Sequence, residues 1–532
     1  MYRFDIGIVI VSYNVRHFLE RCLQSVQNAV IDGLKVEIWV VDNASVDGTK
    51  DMMREHFPDV RFIVNDINVG FSAANNQAIR QMNAKYVLLL NPDTIIEEKT
   101  LKLCYDFMEC RLKAGVTGVR MIDGAGIFLP ESKRSVPNLW NSFCKLFYLS
   151  DIFPKSTFFS GYNLGYLPEM ETNEVEVLCG AFMFIRSSVL DETGLLDEAF
   201  FMYGEDIDLS YRILKAGYEV WYYPETTIIH YKGESTKKGS FNYLKTFYGA
   251  MQIYVNKHYG QGDAKLFAKV INLAITVRGI ISGIVALLTS VFRPLTDMVL
   301  MMLALNAVKS WWAEYYFQDS TYYDESPTNW IFGGYALIWT VALWMNGYYN
   351  NTRDLKKRLS SMAIGTMLIL VIYALLPEYF RTSRAIILWG TVAGFIVLSF
   401  TAWVFGRKDS NKKLRISHTS IAIVASENNA IILKNVLKSS YDCDNWYYIA
   451  PDQEQYNAFF ANTLEHLPDV VKKLGIGEII YGSEDVPMER IIQSMTAIGQ
   501  EVAFKIGSAV SKKIIGSDDR NEQGALITLK VR

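Results

Sequence analysis

The sequence predicts an α/β domain, a helical membrane region and a second α/β domain, in that order along 532 residues. Residues 1–262 alternate short apolar runs with amphipathic stretches, which is typical of a mostly parallel sheet covered by helices. Residues 293–406 consist largely of long apolar segments, and the alternating pattern returns over residues 415–532. A chain of this length is long enough for several domains.

The elements of the first domain place acidic residues directly after strands. The strands are predicted at Ile6–Val11, Val36–Val41, Val60–Val64 and Tyr86–Leu90, and the helices at Arg16–Asn28 and Ala73–Met82. Asp42 follows the second strand and Asp93 follows the fourth. Because ligands bind at the carboxyl ends of strands in open α/β sheets, both carboxylates are candidate site residues.

A third acidic cluster opens a predicted helix after the aromatic run Phe200–Tyr203. It holds Glu205, Asp206 and Asp208 within four positions. A carboxylate at a helix N-terminus can be a cap, but a cap requires only one. Three acidic clusters in this order indicate an enzyme that handles a nucleotide and a metal ion.

Seven segments of the first half resemble the inverting glycosyltransferases of family 2, which have the GT-A fold. Two of them, NVGFSAANN and LLNPD, are most similar to bacterial rhamnosyltransferases of surface polysaccharide assembly. The resemblance implies transfer of a sugar, with rhamnose as a candidate, from a nucleotide-diphosphate sugar to a polyprenyl-diphosphate-linked or other glycan acceptor. The segments are IVSYN (Ile10–Asn14), VVDNASVDGT (Val40–Thr49), NVGFSAANN (Asn68–Asn76), LLNPD (Leu89–Asp93), CGAFMFIR (Cys179–Arg186), LLDEAFFMYGEDIDLSYR (Leu195–Arg212) and IIHYKGES (Ile228–Ser235).

The family resemblance implies a donor site around Asp42, whose carboxylate would accept hydrogen bonds from the N–H and hydroxyl groups of the nucleotide base and ribose. An alternative for Asp42 is an Asx turn with Asn43 and Ser45, which the sequence DNAS also fits. The predicted nucleotide-sugar-binding residues are Ser12, Tyr13, Asn14, Asp42, Asn43, Asn68, Gly70, Asn75 and Asn91.

Asn91-Pro92-Asp93 stands where many members of the family have an Asp-x-Asp metal motif. A diphosphate leaving group requires a divalent cation with oxygen ligands, so Mn²⁺ or Mg²⁺ is the predicted cofactor. Since the first acid is replaced by Asn91, Asp93 is the predicted metal ligand. His230 matches a histidine that completes the metal shell in several members, and a structural histidine at a strand end is the alternative.

The acidic cluster is predicted to hold the catalytic base. In an inverting transfer the acceptor hydroxyl loses its proton as it attacks the anomeric carbon, so one carboxylate suffices. The resemblance assigns this role to Asp206, with Glu205 beside it as a catalytic neighbour. Cys179 and Gly180 are expected to form the acceptor wall, and Asp208 is assigned to the acceptor side or to a structural helix contact.

The apolar middle region predicts four membrane spans with both termini in the cytosol of a bacterial inner membrane. Arg353–Arg358 and Arg407–Arg415 are basic, whereas Ala313–Asn329 is acidic, and the positive-inside rule then sets this orientation. Residues 263–292 carry Arg278 and are predicted to form a helix that lies on the membrane. The spans are Leu295–Trp312, Trp330–Gly347, Met362–Leu376 and Ala385–Phe405.

Residues 415–532 predict a Rossmann-like domain. Together with the spans it resembles the N-terminal half of polyprenyl-phosphate sugar-phosphotransferases. The strand Ile421–Val424 leads into a turn that lacks glycines and carries Glu427, so a dinucleotide site is disfavoured. We expect a docking module for glycan-assembly proteins or a homo-oligomer. The matching residues are Gly347, Tyr348, Arg353, Arg381, Ser383 and Arg384.

Composition excludes several other classes of protein. The net charge of −3 argues against a nucleic-acid partner. Six scattered cysteines fit neither a disulfide framework nor a zinc site. Two alternatives remain: a membrane scaffold with an inactive transferase domain, and a processive polysaccharide synthase. The processive alternative is disfavoured because no Q-x-x-R-W motif follows Asp208.

Overall fold

The computed structural model describes residues 2–528 except 148, 232–240, 260, 320, 324, 351–353, 378–379, 414–419, 439–442, 444, 500–501 and 517–524. The side chains of some further residues, most of them between 241 and 286, are outside this description. The chain divides into two compact units. One comprises Met1–Ala274 with Ile416–Arg532, and the other comprises Ile275–Arg415.

The first domain is built on a nine-stranded mixed sheet with the order β3-β2-β1-β4-β8-β6-β9-β5, and β7 pairs with β9. Strands β1 to β4 run parallel where they pair, whereas β8 is antiparallel to both β4 and β6. The strands are β1 (Phe4–Ser12), β2 (Val36–Asp42), β3 (Arg61–Val64), β4 (Ala84–Leu90), β5 (Thr94–Ile96), β6 (Ala114–Ile122), β7 (Asn173–Glu174), β8 (Phe182–Arg186) and β9 (Glu219–His230).

Helices cover both faces of this sheet, which explains why its central strands are apolar on both sides. Two hydrophobic clusters, one on each side of β1, hold residues such as Ile8 and Val9 fully buried. The helices of this domain are α1 (Arg16–Gln27), α2 (Thr49–His56), α3 (Phe71–Ile79), α4 (Thr100–Cys110), α5 (Leu139–Leu146), α6 (Leu149–Ile152), α7 (Ser187–Thr193), α8 (Glu205–Lys215) and α9 (Phe241–His258).

Four helices follow: α10 (Gln261–Trp312), α11 (Glu325–Met345), α12 (Leu355–Leu375) and α13 (Arg384–Lys413). Among the described residues, three helical stretches are long and apolar enough to cross a membrane: Ser290–Phe317, Leu355–Leu375 and Arg384–Val404. Only 17–39% of their residues are buried inside the protein, so most of their apolar surface faces outward. The predicted second span falls on α11, and the count of four spans stays a prediction.

The predicted boundary between a membrane-lying helix at 263–292 and the first span does not coincide with a helix end. Helix α10 runs for 52 residues with Pro294 in its interior, a length of about 78 Å at 1.5 Å per residue. Apolar residues continue on both sides of this proline and end only at the aromatic pair Trp311-Trp312. The sequence change at Arg293 therefore marks a change in composition and not a break in the helix.

The C-terminal domain is a doubly wound sheet with the order β12-β11-β10-β13-β14-β15-β16. Its strand order reverses between β10 and β13, where such folds bind ligands. Its elements are β10 (Ser420–Val424), α14 (Glu427–Lys438), β11 (Asn445–Ala450), β12 (Asn462–Thr463), α15 (Leu467–Leu474), β13 (Glu478–Gly482), α16 (Met488–Ile498), β14 (Ala503–Ser508), β15 (Lys513–Gly516) and β16 (Ala525–Thr528).

A carboxylate of this domain occupies the position where a phosphate would bind. Asp485 accepts hydrogen bonds from the backbone N–H of Ser426 (3.0 Å) and from Nδ2 of Asn429 (2.9 Å) at the start of α14. A helix N-terminus attracts anions, and here the chain supplies its own. The prediction that this turn binds no dinucleotide stays a prediction, and Asp485 gives it a second physical reason.

The two α/β domains share a hydrophobic cluster. Ile229 and Tyr231, at the end of β9, belong to the same cluster as Ile491 and Met495 of α16. The carboxylate of Glu98 also accepts hydrogen bonds from the first N–H groups of α16, those of Met488 (2.6 Å) and Glu489 (3.1 Å). Glu98 of the first domain therefore caps α16 of the second. Helix α16 also packs against the end of β9, the strand that pairs with β5.

Candidate active site

The carboxyl ends of β1 and β2 bring Ser12 and Asp42 together as register neighbours. Both side chains are fully buried. Oδ2 of Asp42 accepts a hydrogen bond from the N–H of Ser45 (3.1 Å), as expected for an Asx turn. Its other oxygen, Oδ1, and Oγ of Ser12 have no hydrogen-bond partner among the described residues. One oxygen of Asp42 thus closes the turn, and the second is buried without a hydrogen-bond partner among the described residues.

The other predicted donor residues lie on loops that are joined by hydrogen bonds near the ends of β1 and β2. Asn14, at a positive φ of 55°, accepts a hydrogen bond from the N–H of Val46 through Oδ1 (2.8 Å). Asn43 donates from Nδ2 to the carbonyl of Gly70 (3.2 Å), and the N–H of Gly70 donates to Oδ1 of Asn68 (3.0 Å). The structure therefore joins three loops that are distant in sequence.

Three further donor predictions have different placements. Tyr13 is 40% exposed at the rim of this corner. Asn75 donates from Nδ2 to the carbonyl of Phe71 within α3 (2.9 Å), so it bonds to its own helix. Asn91 donates its backbone N–H to the carbonyl of Ala181 (3.0 Å), which links the end of β4 to the predicted acceptor wall.

Gly70 packs against the segment that precedes the acidic cluster of α8. Its φ is +89°, and a Cβ built at this position would lie 2.8 Å from the backbone oxygen of Phe201. The next residue, Phe71, donates its N–H to that same oxygen (2.7 Å). A side chain at position 70 would therefore force apart the segment that precedes Glu205 and Asp206.

Asp93 and His230, the predicted metal ligands, are brought together by the pairing of β5 with β9. Both are 5% exposed, and Oδ1 of Asp93 lies 3.4 Å from Nε2 of His230. Nδ1 of His230 is buried without a hydrogen-bond partner among the described residues. No group of three or more His, Cys, Asp or Glu residues able to hold a metal occurs in that part of the chain. The pair fits part of a metal shell whose other ligands come from outside the protein.

Asp206 forms an ion pair with Arg134. Nη2 of Arg134 donates to Oδ2 of Asp206 at 2.5 Å, and the two side chains are only 11% and 12% exposed. The N–H of Gly180 donates to the same oxygen (3.1 Å). Burial works against the charge of Arg134, but Asp206 raises the pKa of this guanidinium above its ordinary value. The opposite charge of Asp206 therefore favours the charged form of Arg134.

Glu205, one residue earlier, has the opposite electrostatic environment. It is 7% exposed, and its Oε2 has no hydrogen-bond partner among the described residues. Burial, followed by the charge of Asp206, raises the pKa of Glu205 to about 8. Two adjacent carboxyl groups with different proton affinities are an arrangement that enzymes use for acid–base chemistry.

Asp208 is fully buried and bonded to three basic side chains. Oδ2 accepts from Nε of Arg212 (2.8 Å), and Oδ1 lies 2.9 Å from Nζ of Lys257 and 2.6 Å from Nε2 of His258. These contacts join α8 to the end of α9. They support the structural alternative for Asp208, and its assignment to the acceptor side stays a prediction.

The predicted acceptor wall lies against the acidic pair. A Cβ at Gly180 would be 3.4 Å from Cβ of Asp206 and 3.6 Å from Oε1 of Glu205, which is ordinary van der Waals contact with both acidic residues. Burial raises the pKa of the Cys179 thiol to about 11. A thiol of this pKa is neutral at pH 7, which agrees with a structural wall and disfavours a nucleophile.

Sequence reasoning missed Arg134, Lys257 and His258. Arg134 lies 72 residues before its partner Asp206, and Lys257 lies 49 residues after Asp208. The run Glu131–Val136 contains two basic residues among small and polar ones, but no spacing in it points to the acidic cluster. Only a fold that packs the segment after β6 on the start of α8 brings these charges together.

Residues 7–194 match the family model Glycosyl transferase family 2. The chain is 28% identical over 271 residues to the N-acetylglucosaminyl-diphospho-decaprenol L-rhamnosyltransferase of Mycobacterium tuberculosis H37Rv, covering 49% of this chain and 87% of that protein. It is 29% identical over 234 residues to the rhamnosyltransferase WbbL of Escherichia coli K12, covering 42% of this chain and 82% of WbbL.

Two solved structures overlap about half of the chain. Staphylococcus aureus TarS covers 50% of this chain and 43% of TarS, with 15% identity and a TM-score of 0.33. The mannosyltransferase PcManGT from Pyrobaculum calidifontis, in complex with GDP-Man and Mn²⁺, covers 52% of this chain and 81% of its own, with 15% identity and a TM-score of 0.32. Similarity this low gives no basis for comparing the sites.

Replacing Glu205 by glutamine is expected to stabilise the protein at alkaline pH. Because the pKa of Glu205 is raised from 4.5 to about 8, the folded protein binds this proton more tightly than the unfolded chain. The resulting stability is complete below pH 4.5 and is lost as the pH rises through 8. The melting temperature of Glu205→Gln should be close to that of the wild type at pH 4.5 and several degrees higher at pH 8.5. The corresponding gain in the free energy of unfolding at pH 8.5 is about 1–3 kcal/mol.

Calorimetry at several pH values measures this difference, and Glu225→Gln, an exposed carboxylate on β9, is the matched control. The control should follow the wild type at every pH. An equal shift for Glu205→Gln at pH 4.5 and pH 8.5 would show that burial does not hold the proton on Glu205.

Proposed function

We propose that this chain, whose N-terminal α/β domain contains the match to glycosyl transferase family 2 at residues 7–194, transfers a sugar with inversion from a nucleotide-diphosphate donor to a lipid-linked glycan. Rhamnose is the proposed sugar because two similar proteins are named as rhamnosyltransferases. The observation that carries the proposal is the arrangement of carboxylates in the matching domain. Asp42 offers an unpartnered oxygen at the end of β2, and Asp206 is held by Arg134 at the start of α8.

On the donor side, Oδ1 of Asp42 and Oγ of Ser12 are the groups proposed to bind the nucleoside. Leaving two polar atoms buried without partners costs free energy, on the order of 1–3 kcal/mol for each group. A nucleoside that supplies N–H and O–H donors to Asp42 would recover this energy on binding. Asn14, Asn43 and Gly70 would shape the same pocket through their loop contacts.

On the acceptor side, Asp206 is the proposed general base. Arg134 and the N–H of Gly180 both bond to Oδ2, and Oδ1 accepts only the N–H of Ile207 (2.8 Å) among the described contacts. A carboxylate oxygen has room for a further hydrogen bond, so Oδ1 can take the proton of an incoming hydroxyl. Glu205, neutral at pH 7 because of its raised pKa, would donate a hydrogen bond to the same acceptor.

Asp93 and His230 are the residues proposed to hold a divalent cation, Mn²⁺ or Mg²⁺, together with the donor diphosphate. Mg²⁺ is commonly bound by one or two carboxylates plus substrate phosphates, which fits a site with few protein ligands. The cation would neutralise charge on the leaving diphosphate. Asp93 would supply the carboxylate, and Asn91 would take the place of a second acid without adding charge.

The proposed acceptor is held at a bacterial inner membrane. Three stretches can span a membrane by length and composition, and the connections between the predicted spans differ in charge. The basic segments Arg353–Arg358 and Arg407–Arg415 would face the cytosol, whereas the acidic connection Ala313–Asn329 would face the opposite side of the membrane. Both α/β domains would then lie in the cytosol beside the lipid-linked acceptor, and the C-terminal domain would bind glycan-assembly proteins or a second copy of the chain.

Replacing the proposed base tests the catalytic assignment. Asp206→Asn should lower turnover by about 10²–10⁴-fold, the usual contribution of general-base catalysis. Donor affinity should change by no more than a few fold. Purified protein would be assayed with dTDP-rhamnose, UDP-sugars and GDP-mannose and a polyprenyl-diphosphate-linked acceptor.

Asp206→Asn also leaves Arg134 with an unpaired buried charge, which destabilises proteins by about 3–5 kcal/mol. The double variant Arg134→Gln/Asp206→Asn removes this charge and is the control. It should recover stability and remain slow. Turnover near that of the wild type in either variant would remove Asp206 from the role of base.

Metal dependence is expected to map to Asp93 and His230. Excess chelator should abolish transfer, and added Mn²⁺ or Mg²⁺ should restore it. Asp93→Ala should lose the response to metal, and His230→Gln should weaken metal affinity by at least about tenfold. Calorimetric titration with Mn²⁺ and donor would measure this affinity directly. Full activity in excess chelator would show that the site works without a metal.

The membrane topology predicts opposite labelling of two exposed positions. In spheroplasts carrying a Cys110→Ser background, an impermeant maleimide should label Gln318→Cys, which follows α10, and should not label Lys472→Cys, in the C-terminal domain. Lysis should expose the second site. Labelling of Lys472→Cys in intact spheroplasts would contradict a cytosolic C-terminal domain.

A further inference from the structure

We propose that an aromatic patch on the catalytic domain inserts into the surface of the lipid bilayer next to the catalytic base. The aromatic patch consists of Trp140, Phe143, Ile152, Phe153 and Phe158, on and after helices α5 and α6. This inference rests on the proposed function, because it assigns a role in presenting a membrane-bound acceptor. It concerns a surface distinct from the apolar helices of residues 275–415.

The large apolar side chains of the aromatic patch are exposed. Trp140 is 41% exposed, Phe143 37%, Ile152 63%, Phe153 48% and Phe158 60%. Contiguous exposed apolar surface on a folded domain marks a binding surface for protein or membrane. These residues come from one stretch of nineteen, Trp140–Phe158, so the patch is a local feature and not a scatter of single residues.

The rings of the aromatic patch pack on one another and not into the domain core. The ring centroids of Trp140 and Phe158 are 4.7 Å apart, and Nε1 of Trp140 donates a hydrogen bond to the carbonyl of Phe158 (2.8 Å). Phe143 stacks on Trp140 at 5.8 Å from the other side. The patch is thus ordered by its own contacts while its outer surface stays uncovered.

Its composition fits a bilayer surface. Trp and other aromatic residues are favoured where hydrocarbon meets water, and helices that lie on membranes combine them with Lys or Arg. Lys145, Asp151 and Lys155 are exposed beside the aromatic patch. Lys145 pairs with Asp151 (3.1 Å), so Lys155 is the basic side chain that can contact anionic headgroups.

The aromatic patch adjoins the point where the chain leaves the catalytic domain toward the apolar helices. Tyr259, directly after α9, donates from its hydroxyl to the carbonyl of Pro137 (3.0 Å), two residues before α5 begins. Two residues after Tyr259 the chain enters α10, which contains the candidate span Ser290–Phe317. The aromatic patch therefore packs beside the residue at which the chain leaves the catalytic domain.

Helix α5 contacts the segment that contains Arg134, the partner of the proposed base. Nδ2 of Asn141, on α5, donates to Oγ of Ser135 (3.0 Å), and the residue before Ser135 is Arg134, the partner of Asp206. Insertion of the aromatic patch would therefore place Asp206 close to the headgroups. A glycan attached to a membrane lipid through diphosphate presents its acceptor hydroxyl at that level.

The test measures the depth of a single label on the full-length protein. In a Cys110→Ser background, an environment-sensitive fluorophore is attached at Phe158→Cys or, as control, at Leu112→Cys. Leu112 is 79% exposed and precedes β6, at the amino edge of the sheet, away from the site. Both proteins are placed in nanodiscs of phosphatidylethanolamine and phosphatidylglycerol, and quenching by nitroxide lipids and by aqueous iodide is compared.

The label at position 158 is expected to be quenched by nitroxide lipids and shielded from iodide, and the label at position 112 to show the reverse. Iodide quenching at both positions would overturn the proposal. Shielding of position 158 from both quenchers would overturn it as well, because it would mean that a second copy or another protein covers the patch.

A kinetic test separates docking from the proposed function. Phe153→Ser/Phe158→Ser should raise KM for a lipid-linked acceptor in nanodiscs by about tenfold or more, and leave KM unchanged for a water-soluble acceptor analogue. Equal losses on both acceptors would overturn the docking role. Lipid quenching at position 158 in a protein that uses no lipid-linked acceptor would uphold docking and contradict the proposed function.

Discussion

The buried ion pair between Arg134 and Asp206 is the contact on which the catalytic side of the molecule depends. It joins the segment after β6 to the first turn of α8, across 72 residues. A buried charge without its partner is strongly destabilising, so removal of either side chain alone is expected to cost about 3–5 kcal/mol of stability. Burial raises the pKa of the neighbouring Glu205, the charge of Asp206 raises it further, and the charge of Arg134 lowers it.

A second set of contacts extends this arrangement toward the membrane region. Asp208, two residues after Asp206, binds Lys257 and His258 at the end of α9. Tyr259 then binds Pro137, which precedes the aromatic patch. Helix α8 thus carries both the proposed base and the attachment of the exit helix. A displacement of α9 would be transmitted to the start of α8 through buried charges, which resist separation more than apolar contacts do.

The proposed metal ligands are positioned by a different set of contacts. Asp93 and His230 meet only because β5 pairs with β9, and the end of β9 packs in a cluster shared with α16 of the C-terminal domain. Glu98, just beyond β5, caps α16. The C-terminal domain has Asp485 where a phosphate would bind. Its visible role in this unit is to pack against the strands that hold the proposed metal ligands.

The sequence by itself determined the three-part architecture, the strands β1, β2, β4 and β10, the placement of Asp42 and Asp93 at the ends of strands, and that of Asp206 at the start of a helix. These follow from local periodicity and from the rule that parallel strands end at one edge. Only the tertiary structure decided which carboxylates have free oxygens. Arg134, Lys257 and His258 reach Asp206 and Asp208 from distant segments, and α10 continues past Arg293 without a break. Periodicity describes neighbours along the chain, whereas an ion pair depends on positions that only packing brings together.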